Sequence, residues 1–156
     1  MQASLAPRGR ATRQSGASLL EVLVSVLILA IGLLGIAALQ SITLKNTQSS
    51  SERTAAIIQS YAMLDMMRAN RDAARAGNYD QGWLCEAPED PAASRIAGDL
   101  DRWIGQLKQS MGDSACGRIT CGAVSCEVGV RWDDSRGTNS DEDGAAALEI
   151  TTETRL

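Results

Sequence analysis

Residues 16–39 read GASLLEVLVSVLILAIGLLGIAAL, a run with a single charged residue, Glu21. From Ala17 onward it rises roughly 35 Å as a helix at about 1.5 Å per residue, enough to cross the hydrocarbon core of a bilayer. Before it stands MQASLAPRGRATRQS, which carries Arg8, Arg10 and Arg13 and no acid. After it the next basic residue is Lys45. That asymmetry predicts a cytoplasmic N-terminus, with the remainder of the chain on the far side of the membrane. Glu21 is the anomaly. A carboxylate at the centre of a membrane helix costs about 2.5–3.5 kcal/mol, and less near its edge, so it needs a partner. No Lys or Arg lies within the run to provide one. A cut between Gly16 and Ala17 creates a cationic amine four residues before Glu21. That amine serves Glu21 of the same chain, or Glu21 of a staggered neighbouring helix, and the second pairing fixes axial register.

Beyond the apolar run the helix has no early reason to stop. Residues 40–76 contain neither Pro nor Gly, and Gly77-Asn78 is a fitting terminus. The reading is one helix over about 17–76, with 17–39 spanning the membrane. Ile57, Tyr61 and Leu64 follow helical spacing with Met63 and Met67 beside them, which predicts an apolar face for a small domain to pack on. Residues 77–91 read as a loop anchored by Trp83. A second helix places Ile96, Leu100, Trp103, Ile104, Leu107 and Met111 on one face and ends at Gly112. The period then changes to two. Arg118 to Cys121 reads as one strand; Val124, Cys126, Val128, Val130 and Trp132 alternate along a second; Leu148, Ile150, Thr152 and Thr154 along a third. The fold class is therefore α+β: a long N-terminal helix, one further helix and a short antiparallel sheet of about three strands.

Composition narrows the function. The 156 residues include no His and 3% aromatic residues. Without His, the commonest general base, the usual nucleophile–base pairs and most catalytic zinc sites are gone. No phosphate-binding loop is present, so the reading is nonenzymatic, without cofactor or metal. Removing residues 1–16, with three arginines and no acid, takes the net charge from −4 to −7. An acidic chain with so few stacking rings makes no nucleic-acid binder. Cys85, Cys116, Cys121 and Cys126 are an even number downstream of a membrane segment, which suits disulfides in an oxidising compartment. Three complete pairings are open: Cys121 and Cys126 are placed to be cross-strand partners, but either is equally placed to pin the sheet to Cys85.

A basic leader ending in Gly, then an apolar helix with Glu at the fifth position after the cut, resembles the class III signal of type IV pilins and pseudopilins. SLLEVLVSVLILAIGLLGIAALQ, MMRANRDAA at 66–74 and the late Trp132-Asp133 are similar to PilV-type minor pilins. Ala17 stands where the family most often has Phe, and the mid-helix Pro of many major pilins is absent. The resemblance implies a leader over 1–16, the long helix over 17–76 and a disulfide-containing periplasmic head over 77–156. It implies a prepilin peptidase that cleaves Gly16–Ala17 and methylates the Ala17 amine, and Glu21 acting in subunit docking. The partners it implies are other minor and major pilins, the inner-membrane assembly platform and membrane lipid, in a priming complex or at the pilus tip. A pseudopilin of a type II secretion system shares Gly16, Ala17 and Glu21. An ordinary signal peptide or single-pass anchor is the plainer alternative, with a cut after Ala37 or Ala38.

Two other patterns are weaker. Gly32 and Gly35 are one residue short of the GxxxG packing notch. Asn139, Asp141, Asp143 and Gly144 resemble the start of a calcium loop, but the twelfth position is Ile150, with Glu149 one place early. A solvated acidic loop is the better reading.

Overall fold

The computed structural model describes residue 16, residues 18–135 and residues 147–156. Arg8, Arg10 and Arg13, Ala17, and Asn139, Asp141, Asp143 and Gly144 of the calcium-like pattern lie outside the described residues. The described residues divide into two units between Gln40 and Ser41. Helix α1 covers Leu19–Arg68, followed by the short α2 (Arg71–Arg75), strand β1 (Gln81–Leu84), helix α3 (Arg95–Met111), and strands β2 (Cys116–Cys121), β3 (Ser125–Asp133) and β4 (Ala147–Arg155). The strands form one antiparallel sheet in the order β1-β2-β3-β4. The α+β class expected from the periodicities is the class observed.

Within Ser41–Leu156, α1 and α3 pack on one face of the sheet. Met63, Leu64 and Met67 of α1 join Leu100, Trp103, Ile104, Leu107 and Met111 of α3 and Ile119, Cys126, Val128, Val130 and Trp132 of the sheet. Trp103 is the keystone. Its ring lies against Gly117 of β2, where any Cβ would collide with it, and its Nε1 donates to the Gln59 carbonyl of α1 at 3.1 Å. Helix α3 begins because Ser94 Oγ accepts from Ala97 N at 3.0 Å, and it ends because Gly112 takes φ 92°.

Three local expectations change. The helix read through about residue 76 ends at Arg68, and Asn70 breaks it with φ −133° and ψ 49°. Tertiary bonds favour the break: Asn70 Nδ2 donates to Tyr79 Oη at 3.1 Å, while Arg71 and Arg75 donate to the Leu156 carbonyl at 2.6 and 2.7 Å. Tyr79 is itself buried and donates to Asp99 Oδ2 at 2.8 Å. The loop read over 77–91 contains a fourth strand, β1, too short to show alternation. It is held at its ends by the Cys85–Cys116 disulfide and by Asp80 Oδ1, which accepts from Cys121 N at 2.7 Å.

The third change is the buried face of α1. Ile57 and Tyr61 are 42% and 51% exposed. The buried stripe is Ser49, Glu52, Ala56, Ser60, Met63 and Met67, with Leu64 beside it. Its upper members are polar because the sheet supplies partners. Trp132 Nε1 donates to Glu52 Oε2 at 3.0 Å, Gln48 Nε2 to Glu52 Oε1 at 2.7 Å, and Ser49 Oγ to Asp134 Oδ2 at 2.8 Å. A buried carboxylate is tolerable when hydrogen-bonded in this way.

Candidate functional site: the start of the apolar helix

Helix α1 closes its first turn on Ser18, whose carbonyl accepts from Glu21 N at 2.9 Å and Val22 N at 3.2 Å. Glu21 thus sits in the first turn, where unsatisfied amides and the aligned peptide dipoles favour a negative charge. Placement at the helix start offsets part of the desolvation cost that a carboxylate meets in an apolar run. A neighbouring cation would offset more of it. Gly16 is exposed, with nothing within 4 Å of where a Cβ would stand.

From Leu19 to Gln40 every residue of α1 is exposed. Leu19, Leu23, Leu27, Ile31 and Leu34 are each more than half exposed, and the helix is apolar on all sides. By length and composition it is able to cross a membrane. Only a medium or partners of equal apolarity cover such a surface. At 100° per residue, Glu21, Ser25, Gly32 and Gly35 fall on one side of this helix. The Ser25 hydroxyl is spent within the helix, donating to the Val22 carbonyl at 2.8 Å. A Cβ added at Gly32 or Gly35 would meet nothing within 4 Å, so both glycines leave the helix surface low on the side that Glu21 occupies, about three and four turns further along.

The structure therefore places Gly16 and Glu21 at one end of the apolar helix and the four cysteines in the other unit. Those cysteines form two disulfides, Cys85–Cys116 and Cys121–Cys126. Cys121 and Cys126 are directly opposed on β2 and β3. The first bridge ties the segment after β1 to the start of β2, so the sheet is stapled at both ends of β2. Residues that reading by pattern missed are Glu52, Ser49 and Asp134. A clue existed in the 3-4-4-3-4 spacing from Ser49 to Met67, but its polar members hide it from any search for apolar periodicity.

Residues 11–37 match the family described as the prokaryotic N-terminal methylation motif. The chain carries the type IV pilin signal. No curated protein and no solved structure matches it. The motif marks a type IV pilin-like protein of pilus or pseudopilus assembly, and it implies processing by a prepilin peptidase and packing of pilin against pilin. On this pilin-like chain the match spans Gly16, Ala17 and Glu21 and most of the uncovered apolar helix, so the motif and the exposed surface coincide.

Proposed function

We propose that this protein is a PilV-type minor pilin of the type IV pilus, anchored in the inner membrane by residues 17–39 with its head in the periplasm. The observation that carries the reading is the conjunction of the signal at 11–37 with a first helix whose apolar stretch, residues 19–39, is left uncovered and holds a single charge, Glu21, in the first turn. Prepilin peptidase removes residues 1–16 and methylates Ala17. The new ammonium lies four residues from Glu21 and neutralises it, either in the same chain or across the stagger between two subunits. The second arrangement selects one axial offset, because any other leaves the carboxylate without a cation in apolar surroundings. Lateral packing of the apolar helices then draws the subunit into a priming complex with other minor and major pilins on the inner-membrane assembly platform, near the pilus tip. The head contributes surface rather than chemistry.

The test is Glu21→Ala. The variant is cleaved and inserted like wild type, since neither step uses the carboxylate, but it is lost from the sheared pilus fraction and from cross-linked complexes with other pilins. A variant assembled like wild type removes the docking role. Co-purification with type II secretion components in place of pilus components moves the protein to the pseudopilins.

A further inference from the structure

The two edges of the sheet are finished differently. At one edge, β1 is four residues long, shifts register against β2 between Gln81 and Leu84, and is closed at its end by the Cys85–Cys116 disulfide. Short, irregular edges of this kind resist pairing with another strand. At the other edge, β4 runs nine residues and pairs with β3 without a shift from Ala147 to Arg155. It has no Pro, Gly or bulge, and Ile150, Thr151, Thr152 and Thr154 favour extended backbone. Among the described residues, no backbone group bonds to its outer side. Alternate residues of β4 therefore hold donors and acceptors out of the sheet, a template for one more antiparallel strand.

The side chains indicate which strand fits. Glu149, Thr151, Glu153 and Arg155 lie on one exposed face; Glu149 stands 3.4 Å from Arg118 of its own chain, while Arg155 has no ionic partner among the described residues. In an antiparallel pair of two β4 strands with Thr152 opposite Thr152, Glu149 of each chain faces Arg155 of the other, and Thr151 faces Glu153. Opposite charges directly across a pair attract and like charges repel. The register centred on Thr151 sets Glu149 against Glu153 twice and is unfavourable. On the inner side, Ile150, half-covered by its own core, gains Thr154 of the second copy. We propose that β4 is a self-association edge: two copies of this chain pair antiparallel through residues 149–155, about a two-fold axis at Thr152. Confinement of both copies to one membrane raises their effective concentration and lets so short an interface work. The inference does not rest on the filament reading, because the edge, its charges and its register belong to the head alone.

The experiment is disulfide trapping of the full-length protein in membranes of the expressing cell, under mild oxidation. Thr152→Cys yields a covalent dimer. Thr151→Cys, displaced by two positions from its copy, does not. Glu149→Arg in the Thr152→Cys background sets Arg against Arg twice and cuts the trapped dimer about tenfold. Adding Arg155→Glu restores it by exchanging the charges. Trapping at Thr151→Cys in place of Thr152→Cys overturns the register. Equal trapping at both positions, no trapping at either, or failure of the double exchange to restore the dimer overturns the proposal.

Discussion

Residues 19–40 and residues 49–67 belong to the same helix, yet they are finished in opposite ways. The first stretch is almost purely apolar and wholly exposed; the second carries Ser49, Glu52 and Ser60 and buries them. Along α1, apolarity alone is thus no guide to burial. The first stretch has the composition of a core and no core around it, so its cover is lipid or other subunits. The second begins with the composition of a surface, Ser49 to Arg53, and is sealed there by an indole N–H from the sheet and a carboxylate just beyond it. Stability of the head and membrane assembly are therefore separable properties, which single substitutions are able to tell apart.

The three tryptophans, Trp83, Trp103 and Trp132, all lie in the head, so fluorescence in a urea titration of the detergent-solubilised protein reads that unit alone. The largest loss is expected for Trp103→Ala, which empties the space between α1, α3 and Gly117 and costs about 3–5 kcal/mol. Next come the disulfides. Replacing Cys85 and Cys116 by Ser opens a loop of sequence separation 31 and costs about 3.5 kcal/mol on loop-entropy grounds, whereas the Cys121–Cys126 pair, with separation 5, costs about 2 kcal/mol. A reversed order would show that the bridge after β1 matters less than its loop length implies. Glu52→Ala is expected to cost about 2 kcal/mol, because the Trp132 indole N–H is left buried without an acceptor. If that variant unfolds at the wild-type urea midpoint, the contrast between the two stretches of α1 loses its physical basis.

The smallest effect concerns pH. Burial raises the Tyr79 phenol above its ordinary 10.0; the hydrogen bond from Asn70 opposes the rise and the one to Asp99 adds to it. A raised folded-state value means that the neutral phenol's contribution is fully present below pH 10.0 and is lost as pH climbs through the folded value. Tyr79→Phe is expected to be less stable at pH 7 but to lose less on going to pH 11, as measured by urea midpoints at the two pH values.

Much of this arrangement is legible from residues alone, for reasons that can be named. Glu21 stands out because a charge in a run of Leu, Val and Ile is expensive wherever the run is buried. Helix α3 is legible because Ser94, the periodic Leu100, Trp103, Ile104 and Leu107, and Gly112 agree on its start, face and end. Strand β3 is legible by strict alternation, although Val124 proves 57% exposed, just outside the strand. Other features escape because their causes are distant in sequence. Nothing near Asn70 signals a break, since the bonds that favour it come from Tyr79 and Leu156. Gln81–Leu84 becomes a strand only through β2 and a disulfide. The buried face of α1 is misread through Ile57 and Tyr61 because large apolar residues announce themselves, and Ser49 and Glu52 do not. The pairing of Cys121 with Cys126 follows from strand register, and register is a tertiary property.

The central claim is that Glu21 is tolerable in an apolar helix because proteolysis places a cation beside it. The most direct measurement is the intact mass of the protein extracted from membranes of cells with a working prepilin peptidase. The account predicts a chain that begins at a methylated Ala17. A chain that still carries Arg8, Arg10 and Arg13, or one that starts near residue 38, contradicts it.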